Sequence, residues 1–125
     1  MTSAVHTANA PQPGGPYSQA IAANGFLFTA GFGPQDPVTG QVAPTVGEQT
    51  RQVLRNINAV LAERGVTLHD AVKTTVHLAD LADFAEFNKA YQEFFAAPYP
   101  ARTTVGSQLM GILVEIDVVV AMPAE

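Results

Sequence analysis

The sequence predicts an α+β fold in which a mixed β-sheet carries two helices on one face. Two segments with apolar residues at helical spacing stand between segments in which apolar and polar residues alternate, giving the order β-β-α-β-α-β-β. The length of 125 residues suits one domain, and no internal repeat or linker divides the chain. We therefore expect residues 1-125 to fold as a single domain.

The first half is predicted to form a hairpin, a loop and a helix. Strands at Ser18–Ala23 and Phe26–Gly31 flank Asn24-Gly25, a dipeptide typical of tight hairpin turns. A loop rich in glycine and proline follows. The helix predicted at Thr45–Arg64 begins with a T-x-x-E capping pattern and ends before Gly65. Its apolar face comprises Val53, Leu54, Ile57, Val60 and Leu61.

The second half is predicted to begin with a strand at Ala71–Leu78 and to continue with a helix capped by Asp80. The residues of the strand expected to face the core are Val72, Val76 and Leu78. The helix is expected to run to about Phe95 with a buried aromatic face made of Phe84, Phe87, Tyr91, Phe94 and Phe95.

Two further strands complete the predicted sheet. Prolines end the second helix, and a strand is expected to begin at Arg102. The last strand, Ile112–Ala121, alternates strictly. One set of its residues is expected to lie under the helices (Val114, Ile116, Val118, Val120), and the other set on the opposite face (Leu113, Glu115, Asp117, Val119).

The low charge content indicates an oligomer. Charged residues make up only 14% of the chain, against about 25% in ordinary soluble domains. The predicted helices leave one sheet face uncovered, and a small domain has much surface to cover. We expect that face to be buried against other copies of the chain.

Composition also excludes several classes of function. The net charge of -5 argues against a nucleic-acid-binding surface, which needs clustered Lys and Arg. There is no cysteine, so disulfides and thiolate chemistry are excluded. The N-terminal segment does not resemble a secretory signal, and no apolar run is long enough to span a membrane. We expect a cytoplasmic protein without nucleic-acid or membrane partners.

Two charged residues are candidates for chemistry. Arg102 begins a predicted strand after two prolines, and a guanidinium held by rigid backbone matches a carboxylate with two parallel donors. A structural salt bridge at the strand end is the alternative. Glu115 lies in the apolar segment LVEIDVVV, where desolvation would suit it to proton transfer. The alternative is a solvent-facing glutamate, and Asp117 on the same face is the weaker candidate acid.

The remaining polar residues give weak signals. His6, His69 and His77 lie on three different predicted elements without the spacing of metal ligands, so no metal site is expected. No pattern of serine or threonine resembles a nucleophile elbow or a triad.

Seven segments in the same order resemble the Rid (YjgF/YER057c/UK114) family, over nearly the whole chain. They are GPYSQA, LFTAG, DPVTG, EQTRQVLRNINAVLAERG, VKTTVHLADLADFAEFNKAYQEFF, YPART and VEIDVV. The resemblance implies a chorismate-mutase-like (YjgF-like) α+β fold and a homotrimer with an inner β-barrel and clefts between subunits. It also implies hydrolysis of 2-iminobutanoate and 2-iminopropanoate to 2-oxo acids and ammonia, without cofactor or metal.

Site residues follow from the resemblance, position by position. Arg102 matches an arginine that clamps the substrate carboxylate, and Glu115 a glutamate that activates water near the imine carbon. Five further positions match the cleft wall: Tyr17, Ala30, Gly31, Asn88 and the backbone of Thr104. The partner implied is a small 2-imino or 2-oxo acid.

Three departures from the family pattern leave alternatives open. Ala30 replaces a common serine, Phe32-Gly33 replaces a common glutamine, and the segment between Arg102 and Glu115 is about two residues short. These changes motivate a second hypothesis, another hydrolase of the family such as an aminomuconate-type deaminase. A third hypothesis is a non-catalytic trimer that binds a ligand.

Overall fold

The computed structural model describes residues 1–124 and contains one six-stranded sheet with two α-helices. In chain order the elements are β1 (Thr2–Val5), β2 (Ala20–Ala23), β3 (Phe26–Thr29), α1 (Val46–Ala62), β4 (Ala71–Leu78), α2 (Phe84–Tyr91), β5 (Ala101–Gly106) and β6 (Val114–Ala121). The strand order across the sheet is β1-β2-β3-β6-β4-β5. Only β4 and β5 pair in parallel, so the sheet is mixed, as predicted.

The first strand was not predicted. β1 is a short edge strand that pairs antiparallel with β2, from Thr2 opposite Ala23 to Val5 opposite Ala20. Its sequence, TSAV, contributes only Val5 to the core and therefore shows no alternation that periodicity could detect. The element order is thus the predicted one preceded by one strand.

The helix α1 has the capping residue, the glycine stop and the apolar face that the sequence predicts. The Thr45 hydroxyl accepts a hydrogen bond from the backbone N–H of Glu48 at 3.2 Å, which satisfies one free donor of the first turn. Gly65, with a φ of +69°, ends the helical segment. All five residues of the predicted apolar face are fully buried.

The strand β4 has the predicted bounds but one residue faces differently. Its pairing with β6 shifts between Ala71 and Lys73, so Val72 is an extra residue at a β-bulge. Val72 is exposed, and the prediction that it faces the core was wrong. Thr74 takes a buried position instead, where its hydroxyl lies 2.8 Å from the hydroxyl of Tyr91.

The second helical region has three parts. The first is a 3-10 turn at Leu81–Asp83, which Asp80 caps by accepting a hydrogen bond from the Ala82 N–H. The second is α2, and the third is another 3-10 turn at Gln92–Phe94. Phe87, Tyr91 and Phe95 are buried as predicted, Phe94 is half-buried, and Phe84 is exposed, contrary to the prediction. Because α2 ends at Tyr91, Phe94 and Phe95 lie beyond it, and the five rings do not share one helical face.

Three buried amides hold the irregular segments against the sheet and α1. Gln19 forms hydrogen bonds with the backbone of Thr7 and Pro11. Gln49 donates to the Ala43 carbonyl and accepts from the Leu113 N–H. Asn56 donates to the carbonyls of Gly33 and Gln35. Buried backbone groups in loops need such partners. The loops around the sheet ends are therefore fixed in place.

The face of the sheet opposite the helices is uncovered in one chain. On β6 the predicted alternation is confirmed: Val114, Ile116, Val118 and Val120 are buried, and Glu115, Asp117 and Val119 are half-exposed. Phe28 lies opposite Val119 on this face and keeps 45% of its surface exposed. In residues 1–124, no helix is both long and apolar enough to cross a membrane.

Candidate active site

Arg102 lies on the helix-covered side of the sheet, in a hollow of about 410 Å³ lined also by Asn88 and Tyr91. The start of β5 holds its backbone, since Arg102 pairs with Thr74 of β4. Its guanidinium carbon stands 4.9 Å from the ring centre of Tyr91, 5.4 Å from that of Phe87 and 5.6 Å from that of Phe84. These cation–π contacts fix the position of the guanidinium.

No carboxylate within residues 1–124 forms a salt bridge with Arg102. The salt bridge that the described part of the chain does contain joins Arg51 and Glu93 on the surface. The alternative of a structural salt bridge at the strand end therefore has no support in this part of the chain. Burial raises the pKa of the neighbouring Tyr91 hydroxyl, and its bond to Thr74 opposes the rise.

Asn88 lines the same hollow as this arginine, and Thr104 lies further along β5. The Asn88 Oδ1 is buried and has no hydrogen-bond partner among the described residues, although the amide lines the hollow. A buried acceptor of this kind needs a donor from a ligand or from a neighbouring chain. Thr104 follows Arg102 by two residues on β5, which forms the free edge of the sheet.

Glu115 lies in a separate hollow of about 670 Å³, at the end of the sheet where β3 and β4 finish and β6 begins. The hollow has a volume typical of small-molecule sites. Gly31 forms its floor: a Cβ on this glycine would lie 2.7 Å from Oε2 of Glu115 and 2.9 Å from Cδ. The glycine therefore leaves room for the carboxylate in its present position.

Tyr17, Ala30 and Phe32 form part of the wall of the Glu115 hollow. The Tyr17 hydroxyl accepts from the Gly14 N–H, and its ring stays half-exposed towards the hollow. Ala30 donates its backbone N–H to the Gln19 carbonyl at 2.9 Å. Phe32 is only 4% exposed and exchanges two backbone bonds with Ile116, so this departure from the family pattern adds to the core.

One chain does not bring Arg102 and Glu115 together. Arg102 pairs with Thr74, whose side chain is buried beneath α2, whereas Glu115 pairs with His77, three residues further along β4 and on the opposite face. The predicted site residues thus form two groups, Arg102 with Asn88 and Glu115 with Tyr17, Ala30 and Gly31. We call these the Arg102 hollow and the Glu115 hollow.

Two further polar features lie on the open face: the His77–Ser107 pair, which was given no role from sequence, and Asp117, the weaker candidate acid. His77 Nδ1 lies 2.8 Å from the Ser107 hydroxyl, and both residues line the Glu115 hollow. Burial raises the pKa of the Asp117 carboxyl, with His77 and Lys73 opposing the rise. Their signal in the sequence is the alternation of β4 and β6, which places His77, Glu115 and Asp117 on one face. No three His, Asp or Glu side chains of residues 1–124 are grouped as metal ligands.

The fold defines a small α+β protein whose sheet carries polar hollows on both faces. The protein-family model described as Endoribonuclease L-PSP matches residues 7–122. A RutC family protein of Pyrococcus horikoshii is 46% identical over 122 residues, which cover 95% of this chain and 97% of that protein. The chloroplastic Reactive Intermediate Deaminase A of Arabidopsis thaliana is 43% identical over 115 residues, 91% of this chain and 62% of that protein.

A solved structure gives the same result for the fold. E. coli TdcF with bound serine is 30% identical and superposes with a TM-score of 0.90, over 97% of this chain and 99% of that one. The chain belongs to the Endoribonuclease L-PSP family, which is the Rid (YjgF/YER057c/UK114) family.

Proposed function

We propose that this protein is a cofactor-independent deaminase that hydrolyses reactive 2-imino and 2-enamino acids to 2-oxo acids and ammonia. The substrates proposed first are 2-iminobutanoate and 2-iminopropanoate. Its Arabidopsis relative is named as a reactive intermediate deaminase, and TdcF binds an amino acid. The observation that carries the proposal is the Arg102 guanidinium, held among three aromatic rings with no carboxylate partner in the described chain.

Arg102 is suited to bind the carboxylate of such a substrate. A guanidinium offers two parallel N–H donors that fit both carboxylate oxygens, and the rings of Tyr91 and Phe87 limit its rotation. Asn88 lines the same hollow, and its buried, unpartnered Oδ1 would accept an N–H from the substrate or from a second chain. This hollow therefore supplies charge recognition and orientation.

Glu115 is suited to act on the water that attacks the imine. The carboxylate, fixed above Gly31, takes a proton from water as the oxygen adds to the imine carbon, and passes that proton to the nitrogen, which gives a neutral carbinolamine. The same carboxylate then takes the proton of the carbinolamine hydroxyl and delivers it to the nitrogen, so that the C–N bond breaks, the carbonyl forms and ammonia leaves. No electrons are exchanged, because the reaction is a hydrolysis. Orientation and charge placement supply most of the acceleration.

A complete site in this proposal needs two copies of the chain. The two hollows lie on opposite faces of one sheet, so one copy supplies the Arg102 hollow and its neighbour supplies the Glu115 hollow. The uncovered sheet face carries exposed aromatic side chains, Phe26 and Phe28, which favour association. A closed ring of three copies gives three equivalent clefts and leaves no copy unpaired.

The test is a trapping assay. An amino-acid oxidase generates 2-iminobutanoate or 2-iminopropanoate, semicarbazide traps the imine that survives, and added protein is expected to lower the trapped fraction in proportion to its concentration. Unchanged trapping at high protein concentration would overturn the proposal. Incubation with a labelled RNA tests the activity that the family description names. We expect no cleavage, because 11 acidic residues outnumber 6 basic ones.

A further inference from the structure

The wall of the Glu115 hollow contains a hydrogen-bonded pair that the mechanism above does not use. His77 Nδ1 and Ser107 Oγ are 2.8 Å apart, and both side chains are half-buried. Ser107 follows β5 directly, and its N–H donates to the Leu78 carbonyl at 2.9 Å. The pair is therefore anchored to the ends of two strands, and its geometry does not depend on a mobile loop.

The pair lies beside Glu115. His77 and Glu115 are direct cross-strand partners on β4 and β6, and both line the same hollow as Ser107. Side chains of such partners lie about 5 Å apart at their Cβ atoms. A substrate whose imine carbon is near the Glu115 carboxylate would extend its own side chain within reach of His77 and Ser107.

Either arrangement of the shared proton leaves a donor free for a ligand. If the Ser107 hydroxyl donates to Nδ1, the His77 Nε2 carries a hydrogen and can donate. If Nδ1 donates to Ser107, the serine hydroxyl hydrogen is free. A protonated imidazole leaves both donors free. The pair therefore always presents at least one hydrogen-bond donor, and a ligand that meets it should carry an oxygen acceptor.

The charges of the same face indicate that this acceptor is neutral. Glu115 and Asp117 both lie on it, and Lys73, the lysine near Asp117, is bonded to the Thr103 hydroxyl at 2.7 Å. A second carboxylate on the substrate would approach two carboxylates of the protein, whereas a hydroxyl or carboxamide would not. Neutral and polar side chains thus fit both the donors and the charge.

We propose that the His77–Ser107 pair determines specificity, selecting imino acids whose side chain ends in a hydroxyl or carboxamide over alkyl or carboxylate analogues of similar size. This inference rests on the proposed function, because it names the substrate class of that same site.

The experiment compares the imines of asparagine, leucine and aspartate, three side chains of nearly equal size. For the wild-type protein we expect kcat/KM for the asparagine imine to exceed that of the other two by about tenfold. In His77→Phe and Ser107→Ala, kcat/KM for the asparagine imine should fall at least about fivefold more than that for the leucine imine. His69→Phe is the matched control, because His69 is an exposed histidine remote from the hollow, and it should leave all ratios unchanged.

Three results would overturn the inference: a wild-type preference for the leucine imine, a preference for the aspartate imine, or an equal loss on all substrates in both variants. The last result would mean that the pair only holds β4 to the segment after β5. If no imine is hydrolysed, the proposed function fails. Calorimetric binding of the corresponding 2-oxo acids then decides the inference separately, with the same expected order of affinities and the same variants.

Discussion

Gly31 lies directly under the carboxylate of Glu115, and a Cβ at this position would come within 2.7 Å of Oε2. The φ of Gly31 is not in the left-handed region, so the backbone itself would accept alanine. The need for glycine at this position is therefore set by the glutamate side chain and not by the turn. Glycine here keeps the acid at one place over the floor of the hollow.

Gly31→Ala should accordingly displace the Glu115 carboxylate while leaving the fold intact, since the atom encountered is the end of a flexible side chain. We expect kcat/KM for imine hydrolysis to fall by about tenfold to a hundredfold, the range for a misplaced catalytic group. Gly14→Ala is the control, because nothing lies within 4 Å of a Cβ there although Gly14 lines the same hollow. Equal activity of both variants would show that the position of Glu115 is unimportant.

Arg102→Ala should lower kcat/KM by at least about 30-fold, the equivalent of roughly 2 kcal/mol for a lost charged partner. Arg102→Lys should recover only part of this, because an ammonium cannot bind both carboxylate oxygens in parallel. Arg55→Ala serves as the control, since Arg55 is exposed on the surface of α1, where its guanidinium donates to the side chain of Gln52, and it lines neither the Arg102 hollow nor the Glu115 hollow. Undiminished turnover in Arg102→Ala would remove this residue from the site.

Because of Asp117, the free energy of unfolding of the protein should fall as pH rises through the acid range. Burial raises the pKa of its carboxyl above the ordinary value of 3.8, so the folded protein holds this proton more tightly than the unfolded chain. The contribution of this proton to the free energy of unfolding is fully present below pH 3.8 and is lost as pH rises through the folded-state pKa. Urea denaturation of Asp117→Asn and wild type at matched concentration measures it. The free energy of unfolding of Asp117→Asn, relative to wild type, should rise with pH, and a constant difference would contradict the prediction.

Phe28→Glu should break the assembly that the proposed function requires. The ring lies on the uncovered sheet face between Ile21 and Val119, and a carboxylate there could not be buried against another copy. Light scattering should give about three chain masses for the wild type and a smaller particle for the variant. Val38→Glu, at a loop valine that is 92% exposed, should keep the wild-type mass. A wild-type monomer would contradict the shared cleft.

The elements with regular burial could be predicted from sequence. The bounds of β4 agree at both ends, the alternation of β6 is as expected, and α1 has the predicted buried face. In each case one face is buried along the whole element, so the spacing of apolar residues in the sequence matches the spacing of the residues on that face.

Other features could not be predicted from the sequence, because they depend on contacts between residues that are distant along the chain. The bulge at Val72 arises from pairing with β6, and the hydrogen bonds of Gln49 and Asn56 join segments that no local pattern connects. Arg102 and Glu115 were candidates on the pattern of the sequence itself, whereas the other residues of the candidate site were named from family resemblance. Their division into two hollows depends on whether a position faces α2 or the open side, and strand register decides that.

In the proposed ring, the placement of the two hollows on opposite faces would make every subunit a participant in two different clefts. Subunits carrying Arg102→Ala and subunits carrying Glu115→Gln should each be inactive alone, yet a mixed ring contains one interface at which an intact arginine meets an intact glutamate. Unfolding and refolding the two inactive proteins together in equal amounts should therefore regenerate about a quarter of wild-type activity, by intersubunit complementation. Combining both substitutions in one chain and mixing it with wild type should give no such gain.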